Sequence, residues 1–125
     1  MIMLDKETVK EMYDMIIDAT GGLYGLRDEG ALDSSLSAAF QTMYGEDLFP
    51  TVIEKIARIA YGLVSNHPFA DGNKRIGTLV MLTLLDLNGI NIEFTDDEVI
   101  RIGLDLASGK MDYEQLHNTL LTKIE

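Results

Sequence analysis

Apolar residues recur at helical spacing through most of this chain, and capping residues, glycines and prolines cut the pattern into six segments. Val9, Met12, Tyr13, Ile16 and Ile17 share one helical face. Asp5 is placed to cap that helix, Glu7 favours its positive end, and Gly21-Gly22 stops it. Residues 20–30 carry four glycines and cannot form a regular helix. They read as a loop or small hairpin, either an inter-helix connector or a flap able to bend over a ligand.

A second helix is predicted over residues 31–44, with Leu32, Leu36, Ala39, Phe40 and Met43 on one face, and Gly45 and Pro50 bracket a short acidic loop. Thr51-Val52-Ile53-Glu54 forms a capping box for a third helix that turns Ile53, Ile56, Ala57, Ala60, Leu63 and Val64 inward. It must end near Asn66, because Pro68 disfavours helical geometry at His67. Residues 73–88 are the most hydrophobic helix, apolar on nearly every side through Ile76, Leu79, Val80, Met81, Leu82, Leu84, Leu85 and Leu87. Such a helix is expected in the middle of a bundle.

Asn88-Gly89 supplies a left-handed stop, and residues 90–94 a short extended link. Thr95-Asp96-Asp97-Glu98 is a second capping box, opening a helix with Val99, Ile102, Gly103 and Leu106 inward and Ser108-Gly109 at its end. Asp112 then caps a last helix carrying Tyr113, Leu116, Leu120 and Ile124, on which His117 reads as a surface histidine. Six helices with short links and no convincing strand pair predict an all-α domain around a central buried helix, spanning residues 1–125 without a repeat or second domain.

Composition narrows the function classes. At 125 residues and 46% hydrophobic the chain has enough apolar material for a core and is not a disordered segment. A net charge of −11 argues against broad attraction to nucleic acid or an anionic membrane. The lack of cysteine excludes a disulfide framework, a thiolate zinc site and a cysteine nucleophile. The N-terminus meets charge at once and lacks a signal-peptide core, and the longest apolar-rich run, 76–87, falls short of the about 20 residues that span a bilayer. A cytoplasmic location is expected by default.

The chemistry concentrates in residues 66–77, Asn-His-Pro-Phe-Ala-Asp-Gly-Asn-Lys-Arg-Ile-Gly. Gly72 permits a tight turn, and Asn73, Lys74 and Arg75 would occupy the first turn of the most hydrophobic helix. Free backbone N–H groups and the positive end of the dipole make that turn an anion site. Arg75 is suited to gripping phosphate with two parallel hydrogen bonds, and Asn73 offers a neutral amide. Asp71 is an oxygen ligand of the kind magnesium prefers beside substrate phosphates. His67, held by the Pro68 turn, is a suitable general base. Together they suggest transfer of part of a nucleotide to a hydroxyl.

Each residue also has a plainer reading: a capping histidine, a turn aspartate, solvated cations, and Phe69 as a core anchor that locks the loop down. Basic residues in a first helical turn oppose the dipole, however, at about 0.3–1 kcal/mol each, and that inconsistency points to an anion partner.

His67-Pro68-Phe69-Ala70-Asp71-Gly72-Asn73-Lys74-Arg75 resembles the signature of the Fic/Doc family, His-Pro-Phe-x-(Asp/Glu)-Gly-Asn-(Gly/Lys)-Arg, at each of its eight specified positions. The glycine-rich residues 25–30, the link at 45–50 and the helix entering the motif are similar to its short, Doc-type branch. The resemblance implies an α-helical fold and transfer of a nucleotide-derived group, usually from ATP with Mg2+, to a Ser, Thr or Tyr hydroxyl of a target protein. It implies His67 as base, Asp71 orienting magnesium, Phe69 as loop anchor, and Gly72, Asn73, Lys74 and Arg75 holding phosphates. The flap would be Gly22, Leu23, Tyr24, Gly25 and Leu26, aligning the target by main-chain pairing.

Lys74 follows the Doc pattern, which implies a reversed nucleotide, transfer of the γ-phosphoryl group and inactivation of a translation elongation factor. Glycine at that position accompanies adenylyl transfer (AMPylation). Doc-like sequences can carry alanine where this chain has Gly72, so both reactions stay open. The inhibitory pattern of longer members, Ser/Thr-x-x-x-Glu-(Gly/Asn), has no match, since Thr122 and Glu125 have the wrong spacing. The resemblance therefore implies a toxin–antitoxin pair with a separate antitoxin. Two other classes stand beside it: a catalytically weak binding module, and a nucleic-acid binder, the weakest given the charge.

Overall fold

Side-chain caps decide where the helices of this protein begin. The computed structural model describes residues 1–124, with α1 (Lys6–Thr20), α2 (Glu29–Ser37), α3 (Val52–Ser65), α4 (Asn73–Leu87), α5 (Asp96–Ser108) and α6 (Tyr113–Lys123). Asp5 accepts from the Thr8 N–H at the start of α1, and Asp28 from the Ala31 N–H at the start of α2. Complete capping boxes open α3 (Thr51, Glu54), α5 (Thr95, Glu98) and α6 (Asp112, Gln115). Only α4 starts without a side-chain cap, from the left-handed Gly72 (φ 70°). Glu125 lies outside the described residues.

The architecture is helical, as the periodicity implies, but its centre is α3 rather than α4. Helix α3 buries Ile53, Ile56, Ala57, Ile59, Ala60, Leu63 and Val64 and packs against α2, α4, α5 and α6. Helix α4 lies beside it, with α1 and α5 as its other neighbours, and leaves Leu79 and Leu87 exposed. Its apolar residues outnumber the neighbours available to cover them, so composition alone misplaces the hub. The two helices pack tightly at Gly77, where a Cβ would stand 2.5 Å from Val64 Cγ2.

The helix expected over 31–44 ends at Ser37. A 3-10 turn (Ala38–Phe40) follows, then an antiparallel hairpin of β1 (Thr42–Met43) and β2 (Glu46–Asp47), paired Thr42 with Asp47 and Met43 with Glu46. Tyr44 (φ 53°) and Gly45 (φ 80°) both adopt left-handed backbone, the requirement of a tight two-residue hairpin loop. Phe40 and Met43 are consequently exposed instead of inward, and the sequence expectation of no strand pair is corrected. Lys55 of α3 ties this excursion down. Its buried ammonium contacts the Phe49 carbonyl, lies 3.4 Å from Asp47 Oδ2 and sits 5.8 Å from the centre of the Phe40 ring. Among the described residues no helix is long and apolar enough to cross a membrane.

Candidate active site

The loop from Asn66 to Gly72 joins the end of the hub helix α3 to the uncapped start of α4. At its entry His67 takes left-handed backbone (φ 48°), uncommon for a residue with a Cβ and costing about 1–2 kcal/mol. The expectation that α3 stops near Asn66 holds, and His67 then turns away sharply, with its side chain exposed. The Arg27 guanidinium holds the turned peptide, donating to the His67 carbonyl from Nε (2.9 Å) and Nη2 (2.6 Å), and to the Asn66 carbonyl at 3.3 Å.

The glycine-rich segment preceding α2 is paired onto this loop. The Ala70 N–H donates to the Gly25 carbonyl (3.0 Å), the Arg27 and Asp28 N–H groups donate to the Pro68 carbonyl (2.8 and 3.0 Å), and Leu26 bridges Phe69 in antiparallel fashion. Gly25 and Leu26 thus face the motif, whereas Leu23 and Tyr24 are exposed. Phe69 is buried and stacks on Tyr13 of α1, rings 3.9 Å apart and 11° from parallel. The Tyr13 hydroxyl donates to the Leu23 carbonyl at 2.6 Å, so one side chain braces both loop and flap. Burial raises the Tyr13 phenol above its ordinary value, and the Asp71 backbone N–H opposes that shift.

Asn73 turns its side chain inward. Oδ1 accepts from the Phe69 N–H (3.0 Å) and Nδ2 donates to the Phe69 carbonyl (3.1 Å), mimicking a strand pair across the loop. One amide hydrogen of Asn73 is left for a ligand. Asp71 Oδ1 accepts from the Gly72 N–H (2.8 Å), and its Oδ2 lies 4.0 Å from Arg75 Nη2. Arg75 also donates from Nη1 to the Thr20 hydroxyl and to the Gly21 carbonyl (3.1 Å). Gly22 completes the cluster: a Cβ there would fall 2.8 Å from Asp71 Oδ2 and 3.3 Å from Arg75 Nη2.

The structure therefore gathers Gly22, Asp71, Gly72 and Arg75 into one cluster at the start of α4. Lys74 is exposed and, with Arg75, lines an apolar groove of about 410 Å³ bounded by Ile16, Leu79, Val99 and Leu104. His67 lines a different opening, of about 320 Å³, with Tyr61, Ser65 and Asp112. The backbone N–H groups of Asn73, Lys74 and Arg75 donate to no other protein group among the described residues.

Among the described residues no group of three or more His, Asp or Glu side chains converges as a metal cage. Asp71 offers a single half-exposed carboxylate, a donor set that fits magnesium bound largely through substrate phosphates and water. Reading the sequence alone misses Arg27, Tyr13 and Thr20 as parts of this site. Arg27 meets His67 across 40 positions of the chain and Arg75 meets Thr20 across 55, and no local pattern encodes either contact.

A family model described as the Fic/DOC family matches residues 3–85 of this chain. The protein named Toxin Doc from Mycolicibacterium smegmatis (strain ATCC 700084 / mc(2)155) is 31% identical over 100 residues, which cover 78% of this chain and 77% of that protein.

Proposed function

This chain belongs to the Fic/Doc family, and from that premise we propose that it is the toxin of a toxin–antitoxin pair, transferring the γ-phosphoryl group of ATP to a hydroxyl of a target protein. The observation that carries the reading is the start of α4. Among the described residues it is the one α-helix without a side-chain cap, its first three N–H groups have no protein acceptor, and two cationic side chains extend from the same turn. A helix N-terminus so arranged suits phosphate.

In this reading the Gly72 backbone, Asn73, Lys74 and Arg75 hold the nucleotide phosphates, and Asp71 orients magnesium. When bound, the metal ion neutralises charge on the phosphate oxygens. His67 accepts the proton as the Ser, Thr or Tyr oxygen of the target bonds to the γ-phosphorus. The bond from that phosphorus to the bridging oxygen breaks and ADP leaves. Residues Gly22 to Leu26 present the target segment to the loop. A translation factor is the first target to examine, and a separate antitoxin in the same cytoplasm restrains the activity.

Adenylyl transfer is the second reading, favoured by Gly72. A Cβ there would lie 3.0 Å from Arg75 Nη2, and the left-handed backbone adds strain to any larger residue. Expression of the wild-type chain without its antitoxin tests the shared core of both. Growth arrest that His67→Ala relieves, with Mg2+-ATP binding seen by calorimetry, is the expected result. Unaffected growth and no nucleotide binding would make the chain a binding module.

A further inference from the structure

Arg27 stands outside the residues given to nucleotide, metal and target, yet it makes the densest set of contacts to the peptide that carries His67. Its Nε and Nη2 both donate to the His67 carbonyl, at 2.9 and 2.6 Å, and Nη2 also reaches the Asn66 carbonyl at 3.3 Å. Among the described residues neither carbonyl has another donor. Both lie at the negative end of α3, where a cation is favoured. The peptide so held is the one whose φ of 48° a histidine rarely adopts, with a proline behind it.

Arg27 also directly follows the flap. Its backbone N–H donates to the Pro68 carbonyl at 2.8 Å, and the preceding residue, Leu26, bridges Phe69. One residue therefore both helps to seat the flap on the loop and fixes the His67 backbone. The geometry points to Arg27 as a positioning residue that makes the orientation of His67 depend on a seated flap. This rests on the reading of His67 as the base. A target segment engaging Gly22 to Leu26 would steady the Arg27 grip, so the base is set when the acceptor hydroxyl arrives.

The test compares wild type, Arg27→Ala, Arg27→Lys and His67→Ala. In Arg27→Ala the transfer rate constant should fall roughly 10- to 100-fold, the range for lost supporting contacts and misplaced groups. The calorimetric Kd for Mg2+-ATP should stay within about twofold of wild type, because the phosphate cradle is untouched. Added guanidinium should restore part of the rate. Arg27→Lys keeps the charge but not the two-donor grip, so it should fall between wild type and alanine, and it serves if Arg27→Ala does not fold.

The Cα and Cβ chemical shifts of His67, read by NMR without any turnover, should move in Arg27→Ala. Unmoved His67 shifts, or an unchanged rate while His67→Ala is inactive, would overturn the inference. Full activity of His67→Ala would instead remove the base reading, and moved shifts would still report the Arg27 contact.

Discussion

Replacing Gly77 with alanine probes a tight contact between α3 and α4, the two helices that flank the loop. The added Cβ would stand 2.5 Å from Val64 Cγ2, with the Ala60 carbonyl oxygen at 3.4 Å and the Val64 nitrogen at 3.5 Å. In an exposed helix interior this change would stabilise by about 1 kcal/mol. Here Val64 is fully buried and β-branched, with one strongly preferred rotamer in a helix, so its methyl has nowhere to swing. The two backbone atoms of α3 already stand at ordinary contact distance, so the new Cβ has no slack toward that helix.

Overpacking of this kind costs about 1–3 kcal/mol, and a contact this short belongs at the upper end. Subtracting the propensity gain leaves a net loss of about 2 kcal/mol. For a domain of this size that lowers the melting midpoint by roughly 6–10 °C. Helix α3 delivers His67 and α4 carries Lys74 and Arg75, so forcing the helices apart should also slow transfer.

Gly103 in α5 is the control. Its nearest neighbours to a new Cβ are Thr78 Cγ2 at 3.5 Å and Lys74 Cβ at 3.6 Å, ordinary contacts, so Gly103→Ala should raise stability by up to about 1 kcal/mol. Urea unfolding followed by circular dichroism should thus give opposite signs for two glycine-to-alanine changes. Adding Val64→Ala to Gly77→Ala should show a favourable coupling of at least about 1 kcal/mol in a double-mutant cycle. A stabilised Gly77→Ala, or simple additivity in the cycle, would refute the reasoning.

Two further outcomes follow from the contacts above. Tyr13→Phe keeps the stack on Phe69 but removes the donor to the Leu23 carbonyl, costing about 1 kcal/mol overall. Hydrogen exchange at Arg27, Asp28 and Ala70 should accelerate more than in α3; equal acceleration everywhere would mean that Tyr13 does not brace the flap. Tyr113 tests the α3–α6 contact: burial, reinforced by Glu54 and opposed by Arg58, pushes its phenol up to about 12 from 10.0. The folded chain then holds that proton more tightly than the unfolded chain. The associated stability is whole below pH 10.0 and is lost as pH rises toward about 12. Urea midpoints across that range should fall more steeply in wild type than in Tyr113→Phe, and parallel curves would contradict the assignment.

What was legible in the sequence was local. Thr51 with Glu54 and Thr95 with Glu98 are three residues apart, so their capping boxes are written in the chain and appear in the structure. The motif is likewise contiguous, and its loop falls between the two helices the periodicity requires. Sequence pattern and structure part where several residues act together across the fold. Leu36, Phe40 and Met43 keep helical spacing, yet the left-handed pair Tyr44-Gly45 and the reach of Lys55 turn that stretch into a hairpin. The hydrophobicity of α4 suggested a hub, while α3, with fewer bulky residues, is the one its neighbours surround. The inward turn of Asn73 and the grip of Arg27 depend on a loop conformation that no spacing rule describes.

The central claim is that the loop between α3 and α4 is a phosphoryl-transfer centre. It is tested most directly by incubating the wild-type chain with magnesium, cell extract and ATP labelled at either the γ- or the α-phosphate. The expected result is a protein band labelled from γ-labelled ATP alone and lost in His67→Ala. A band labelled from α-labelled ATP would contradict the claim and assign adenylyl transfer instead.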